Sequence, residues 1–234
     1  MVGEFMRYET SSGPASAVVR LHLNKDEEIT CEVGAMIAMS TKLTVETTTK
    51  QRGAKNGVMQ GIRRIFSGEN LFINHFTAQA DEQYLILGPT LMGDIAHHHL
   101  EQGALIIQGG SWLASDTRIS VDTTFQGLGN AFFSGEGAFW VKCTGNGDIF
   151  LNSFGAIYEV EVDGEYIVDT GHIVAFEDSL QFKVEKAGSS WIGAMLGGEG
   201  LVCRFSGKGK LYCQSHNPPA LGYFLRSSLK PIRR

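Results

Sequence analysis

The sequence lacks long apolar runs and contains few cysteines and prolines, and these shortages exclude several classes of protein. No apolar stretch approaches the length of about 18 residues that a membrane-spanning helix requires. Four cysteines in 234 residues are too few for a disulfide framework, and no secretory signal precedes them. We therefore expect buried, reduced thiols in a cytoplasmic protein. A net charge of −5 argues against a nucleic-acid-binding surface that covers the whole molecule.

Glycine is abundant, and its distribution indicates the fold class. The chain has 29 glycines against five prolines, and the glycines are spread evenly among valine, isoleucine, phenylalanine and threonine. This pattern is typical of the turns between many short strands and not of a flexible linker. The sequence therefore predicts an all-β protein.

Two motifs recur three times in a constant order. A glycine signature begins at Gly34, Gly110 and Gly171, and each copy continues into an alternating strand pattern. A Gly-Glu motif follows each signature, as FSGENLF, FSGEGAFW and GGEGLV, with the glutamates Glu69, Glu136 and Glu199. Motifs that return in fixed order indicate internal repeats. We predict three β-sandwich-like units, each a short double-stranded β-helix, around a pseudo-threefold axis.

The predicted boundaries follow from these motifs. Residues 1–7 are expected to be a vector-derived, disordered start, the three repeats cover 8–89, 90–155 and 156–217, and a basic tail covers 218–234. Apolar residues at spacings of three and four predict short helical connectors before the Gly-Glu motifs. Turn residues such as Asn146-Gly147 and Asp163-Gly164 predict that the flanking strands form hairpins, as does Gly207 between Cys203 and Cys213. A disulfide across that last hairpin is a minor alternative to free thiols.

The repeated motifs, together with ASD at Ala114–Asp116 and VDTGHIVAF at Val168–Phe176, resemble a known family. The chain resembles bacterial relatives of the fungal protein named for altered inheritance of mitochondria, over nearly its whole length. The family's repeats are similar in fold to the tryptophan RNA-binding attenuation protein, and mitochondrial members are associated with inner-membrane organisation. The resemblance implies the three-unit fold and no specific chemistry. No tryptophan-contacting or RNA-contacting residue matches here, so the fold likeness implies no RNA binding.

Glu69, Glu136 and Glu199 are the most repeated charged residues of the chain. Three carboxylates around one axis can hold a cation. Alternatively, each glutamate accepts hydrogen bonds from the backbone amides of its own turn, where the glycines permit positive φ. We favour this structural role, because each glutamate recurs with the same glycines and apolar neighbours.

Asp116, Asp169 and His172 form a candidate polar cluster in the repeat frame. An acid–base pair needs a nucleophile, and the sequence contains no nucleophile elbow and no phosphate-binding or dinucleotide fingerprint. Asp169 is more simply explained as a turn residue that binds local amides. We therefore predict no catalytic, cofactor-binding or metal-binding residue and no enzymatic activity.

The triplet His97-His98-His99 is the remaining candidate for metal binding. Adjacent residues of a strand point to opposite faces, so at most His97 and His99 can share an ion, and zinc requires more ligands than two. The other repeats have polar turns at this position. We therefore expect the triplet to lie at a solvated hairpin end.

These observations predict a non-enzymatic binding or scaffold protein of the cytoplasm, peripheral to a membrane. Its expected partner is a protein or a membrane surface, and nucleic acid is not expected. The alternative is a small-ligand or metal-binding protein that uses a cleft between repeats. Three equivalent units in one chain favour a monomer, because they supply the association that a homotrimer otherwise provides.

Overall fold

The computed structural model describes residues 6–48, 73–122, 140–186 and 201–226. This part of the chain consists mostly of strands, with one α-helix and short 3-10 turns at Gly109–Ser111 and Thr170–His172. In chain order the elements are β1 (Tyr8–Ser11), β2 (Val18–Leu23), β3 (Glu28–Glu32), β4 (Met36–Met39), β5 (Leu43–Thr48), β6 (Ile73–Ala78), β7 (Gln83–Leu87), β8 (Ile95–Leu100), β9 (Ala104–Gln108), β10 (Trp112–Asp116), β11 (Ile119–Asp122), β12 (Trp140–Gly145), β13 (Gly147–Asn152), β14 (Ile157–Asp169), β15 (Ile173–Glu177), β16 (Gln181–Lys186), β17 (Leu201–Gln214) and α1 (Pro218–Arg226).

The strands pair into three sheets. Sheet 1 has the order β1-β2-β7-β4, and sheet 2 has the order β5-β6-β3-β10-β13-β8. Sheet 3 has the order β11-β12-β9-β15-β17-β14, with β16 also paired to β17. In the middle of sheet 2, β3 pairs with β10, which we call junction 1. In the middle of sheet 3, β9 pairs with β15, which we call junction 2. Each junction joins strands of neighbouring predicted repeats.

Three hydrophobic cores separate these layers. Core 1 contains side chains of sheets 1 and 2, core 2 contains side chains of sheets 2 and 3, and core 3 lies within sheet 3. Successive side chains of a strand point to opposite faces, so a strand in a central layer serves two cores. In β13, Phe150 lies in core 1, whereas Ile149 and Leu151 lie in core 2. The apolar run of β13 is therefore buried on both faces.

Strands β14 and β17 pair along their whole length as one long ribbon. Gly164 and Gly207 stand directly opposite each other in this ribbon, and both have a φ of +113°. Residues with a Cβ rarely adopt this conformation, whereas glycine does so readily. The two glycines therefore let both strands turn at one point while their pairing continues.

The predicted hairpins are wrong. Asn146-Gly147 does separate two strands, but β12 pairs with β9 and β11, whereas β13 pairs with β8 and β10. The consecutive strands β2 and β3, β6 and β7, and β8 and β9 are likewise divided between different sheets. In the third predicted repeat, β14 and β17 each continue as a single strand through the predicted turn. Turn residues permit a change of direction, but burial against two faces decides where each strand pairs.

The all-β, sandwich-like fold class is confirmed, whereas the pseudo-threefold axis and the repeat boundaries stay predictions. The predicted helical connectors and the glutamates Glu69, Glu136 and Glu199 lie outside the described residues. The predicted basic tail begins with α1, a helix that the sequence analysis did not predict. Among the described residues, no helix is long and apolar enough to cross a membrane.

Candidate functional site

The three consecutive histidines lie inside strand β8 and not at a hairpin end. The register of β8 against β13 places His97, His98 and His99 opposite residues 150, 149 and 148. His98 is buried and the other two histidines are partly buried. The predicted solvated position is therefore wrong. The predicted alternation of faces is confirmed, because His97 and His99 share one hydrogen-bond partner and His98 has another.

That shared partner is the carboxylate of Asp148, whose side chain is 0% exposed. Asp148 Oδ1 lies 2.8 Å from His97 Nε2 and 2.7 Å from His99 Nδ1. Asp148 Oδ2 accepts a 2.8 Å hydrogen bond from the backbone amide of Met6. A buried carboxylate needs such partners because it has lost its water. The cluster of Asp148, His97 and His99, which we call the aspartate–histidine cluster, therefore connects the start of the described chain to the edge of sheet 2.

Opposing effects act on the pKa of Asp148. Burial raises it, but hydrogen bonds from His97, from the Met6 amide and from His99 together lower it below the ordinary range of an aspartate. The carboxylate is therefore ionised at neutral pH and acts as a hydrogen-bond acceptor only. An acceptor with three donors is poorly suited to remove a proton from a substrate.

His98 points to the opposite face and packs against Tyr212. His98 Nδ1 lies 2.9 Å from the Tyr212 hydroxyl, and the two rings meet edge to face. Burial lowers the pKa of His98 and raises the pKa of Tyr212, so both side chains are neutral at neutral pH. This pair links β8 of sheet 2 to β17 of sheet 3 across core 2.

A cavity of about 440 Å³ adjoins the aspartate–histidine cluster. Met6 lines this cavity and also binds Asp148, so the two features share a wall. Arg7, Asp116 and Arg118 also contribute to the lining. Charged groups of both signs therefore face the cavity.

The carboxylate of Asp116 is paired with Arg118, two residues along the chain. Its Oδ1 accepts from the Arg118 amide at 2.8 Å, and its Oδ2 accepts from the Arg118 guanidinium through Nε at 2.9 Å and through a second nitrogen. Gly147 lies close by, since a Cβ at that position would come within 3.0 Å of the Asp116 Cβ. Asp116 thus lies beside the strand that carries Asp148.

Asp169 and His172 lie at a separate 3-10 turn. The Gly171 amide donates to Asp169 Oδ1 at 2.8 Å, which confirms the predicted turn role. His172 Nδ1 lies 2.8 Å from the backbone oxygen of Gln214. Asp116 is the last residue of β10 in sheet 2, whereas Asp169 and His172 lie at the 3-10 turn between β14 and β15 of sheet 3.

A second cleft of about 300 Å³, which we call the Glu32 cleft, collects residues from all three predicted repeats. Its lining includes Glu32, Asn152 and Gln214. Burial raises the pKa of Glu32 to about 7. Gln214 donates to the Gly171 oxygen at 3.0 Å, and Asn152, in its satisfied amide orientation, donates to the oxygens of Gly110 and Ser111. The amides therefore bind two of the glycine signatures, and burial makes the Glu32 carboxyl easier to protonate than an exposed glutamate.

The four cysteines are free and buried, which confirms the predicted reduced thiols. Burial raises the pKa of each thiol, to about 12 for Cys203 and about 11 for Cys213. The alternative disulfide between those two residues is wrong, because they lie in one continuous strand. Protonated, buried thiols are poor nucleophiles and poor metal ligands.

Sequence reasoning missed Asp148. The available signal was a charged residue next to the apolar run Ile149–Leu151, where only a buried, partnered carboxylate fits. Its partners lie about fifty and more than a hundred positions away, as His97, His99 and Met6. In the ranges that the structure describes, no group of three or more His, Cys, Asp or Glu side chains has the arrangement of a metal site.

Comparison with known proteins identifies the family. The family model described as mitochondrial biogenesis AIM24 matches residues 8–216. An uncharacterised protein of Streptococcus pyogenes serotype M6 is 28% identical over 221 residues, covering 93% of this chain and 88% of the relative. A crystal structure of a Streptococcus pyogenes protein superposes with a TM-score of 0.76 at 24% identity, over 96% of this chain and 100% of that chain, and shows the same fold. The chain therefore belongs to the family that is described as mitochondrial biogenesis AIM24.

Proposed function

We propose that this protein is a non-enzymatic scaffold that binds protein partners by adding strands to two open sheet edges. The observation that carries the proposal is the exposure of Ile37 on β4 and Ile167 on β14, two strands that end their sheets within the described residues. An edge strand presents unpaired backbone donors and acceptors that an extended segment can bind. Apolar side chains on the same edge add burial to those hydrogen bonds.

The chemistry of the interior supports a structural rather than a catalytic role. The Asp148 carboxylate is committed to three donors, and the thiols are buried and protonated. Asp116 is paired with Arg118, and Asp169 with its own turn. These groups hold strands together and leave no activated nucleophile among them.

We place the scaffold in the cytoplasm, because buried, unpaired thiols are typical of proteins in reducing compartments. The peripheral membrane position remains part of the proposal. It is supported by α1, where the exposed side chains of Phe224 and Leu225 precede Arg226 and the basic tail. Apolar and basic residues in one helix favour the surface of an anionic membrane.

The Glu32 cleft favours a second candidate function, the binding of a small ligand between repeats. Glu32 gives this cleft a carboxyl group with a pKa of about 7, beside the amides of Asn152 and Gln214. Perturbed carboxyls in clefts are common at binding sites. Its volume of about 300 Å³ is at the lower end for small-molecule sites.

Native mass spectrometry with elemental analysis separates the two candidates. For the scaffold we expect masses that one or more copies of the polypeptide account for completely, with no retained small molecule and no stoichiometric metal. A small molecule that is retained by the wild type and released by Glu32→Gln would replace the scaffold proposal with the ligand proposal.

Selection of displayed peptides on sparsely immobilised full-length protein tests the edges. We expect extended peptides with alternating apolar residues, each of which loses binding in either Ile37→Lys or Ile167→Lys, according to the edge that it occupies. Val45→Lys is the matched control. Val45 is also an exposed apolar residue on an edge strand, but its strand, β5 of sheet 2, is neither of the two proposed binding edges. Peptides that bind all three variants equally would overturn strand addition at β4 and β14.

A further inference from the structure

The two junctions share one register. At junction 1, Ala114 pairs with Cys31, and at junction 2, Ala175 pairs with Ile107. In both cases the residue four positions after one glycine signature pairs with the residue three positions before the preceding signature. The chain therefore uses the same edge-to-edge joint twice.

The first and the third predicted repeat each contain one strand of this type that has no partner for such a junction among the described residues. Strand β4 occupies the position in the first repeat that β10 and β15 occupy in the second and third, and among the described residues it pairs only with β7. The second half of β14 occupies the position in the third repeat that β3 and β9 occupy in the first and second. Among the described residues it pairs only with β17. The two free halves are complementary, because each junction needs one strand of each kind.

Strands β4, β10 and β15 each contain a bulge residue, and this residue shows which side chain a junction buries. Leu113, Val174 and Ile37 each lie at the same register shift of their strand. Leu113 from the second repeat packs into core 1, and Val174 from the third repeat packs into core 2. Both are 0% exposed, whereas Ile37 is 57% exposed. Ile37 thus lacks the core of a preceding unit into which its counterparts insert.

Strands β3, β9 and β14 show the same contrast between buried and exposed side chains. Thr30 and Ile106 lie in junctions 1 and 2 and are 0% and 3% exposed, whereas the corresponding Ile167 is 49% exposed. Tyr166 next to it is also exposed. Apolar side chains at an uncharged stretch of sheet edge mark a site of strand pairing.

We propose that β4 of one copy of this chain pairs antiparallel with the second half of β14 of another copy, forming a third junction between molecules. The register places Ala38 opposite Val168 and Met39 opposite Ile167. The bulge residue Ile37 of one copy then inserts at core 3 of the other. This inference rests on the proposed function, since it names the partner of the same edges, and it replaces the expected monomer.

The joint is head-to-tail, so it generates either a closed ring or an open filament. Sedimentation velocity of the full-length protein over a wide concentration range measures the association. We expect species larger than one chain for the wild type and for Val45→Lys, and the mass of one chain for Ile37→Lys and Ile167→Lys. A wild type that stays monomeric at every concentration would overturn the proposal.

Mixing the two edge variants tests the polarity of the joint. Ile37→Lys keeps an intact β14, and Ile167→Lys keeps an intact β4, so one junction can form between them. We expect the equimolar mixture to reach the mass of two chains and no more, with each variant alone monomeric and folded by circular dichroism. No association in the mixture would contradict a joint between β4 and β14.

Cross-linking tests the register even if a lysine variant fails to fold. Directly opposed residues of an antiparallel pair have Cα atoms about 4.5–5.5 Å apart, within reach of a disulfide. Met39→Cys mixed with Ile167→Cys is expected to form a covalent dimer on mild oxidation, whereas Val45→Cys mixed with Ile167→Cys does not. Equal cross-linking in both mixtures would overturn the register. A monomer whose edges bind displayed peptides would leave the scaffold function in place and reject self-association alone.

Discussion

The imidazole of His97 and the carboxylate of Asp148 are joined by a 2.8 Å hydrogen bond inside the protein. The partners of Asp148 favour its ionised form in the folded state, so its pKa lies below the ordinary value there. In the unfolded chain an aspartate has a pKa of about 3.9. The stabilisation is therefore complete above this pH and is lost as the pH falls further.

We expect Asp148→Asn to lower the free energy of unfolding at neutral pH by about 2 kcal/mol, because charged hydrogen bonds are lost. The difference from the wild type should shrink below a pH of about 4, where the wild-type carboxylate also takes up a proton. Urea unfolding at several pH values measures both. Asp163→Asn is the control, since its exposed pair with Lys208 at 3.7 Å contributes little. A loss that does not change with pH would contradict this explanation.

His98 predicts a second pH dependence at higher pH. Burial lowers its pKa in the folded protein, whereas an unfolded histidine titrates at about 6.5. The unfolded state therefore binds the proton first, and stability falls as the pH drops below about 6.5, by at most about 1.4 kcal/mol per pH unit for this group. We expect His98→Gln, which keeps a polar group near Tyr212, to remove this part of the dependence. Identical pH profiles for both proteins would show that His98 does not titrate on unfolding.

The opposed glycines of the β14–β17 ribbon predict a backbone effect. Gly164 has a φ of +113° and open space around it, so Gly164→Ala causes strain and no collision. We expect a loss of about 1–2 kcal/mol, the usual cost of a left-handed conformation for a residue with a Cβ. Gly222→Ala in α1 also meets open space and should not destabilise, because alanine favours helices. Melting temperatures of the two variants give the comparison, and equal effects would contradict it.

The buried thiols predict resistance to modification. Each of the four has a raised pKa and lies in a core. We expect no rapid reaction of the native protein with a chromogenic disulfide reagent at mildly alkaline pH, and reaction of all four cysteines after unfolding in urea. One thiol that reacts rapidly in the native state would place that cysteine at an open site.

The repeated glutamates also carry a prediction. If Glu136 holds its own turn by accepting backbone amides, Glu136→Ala should cost about 1 kcal/mol and lower the melting temperature. Glu69→Ala and Glu199→Ala should behave alike, because the motif is the same in all three places. Unchanged stability together with the loss of a bound ion, seen by elemental analysis, would favour the cation site instead.

Local patterns predicted the strands better than their pairing. The turn residues Asn146-Gly147 do end one strand and begin another, but those strands enter different sheets. Turn chemistry acts over a few residues, whereas pairing depends on which faces of each strand are buried. The same limit applied to His97 and Asp148, since a short sequence window around either residue contains no sign of the other.

The sequence by itself determined the all-β class, the recurring motifs, the family and the buried thiols, because these depend on composition, alternation and motif order. Only the tertiary structure decided that Asp148 binds His97 and His99, that the Glu32 cleft gathers residues of all three predicted repeats, and that β4 and β14 end their sheets within the described residues. These relationships arise when distant strands pair to bury their apolar faces. Long-range burial, unlike local conformation, depends on the whole chain at once.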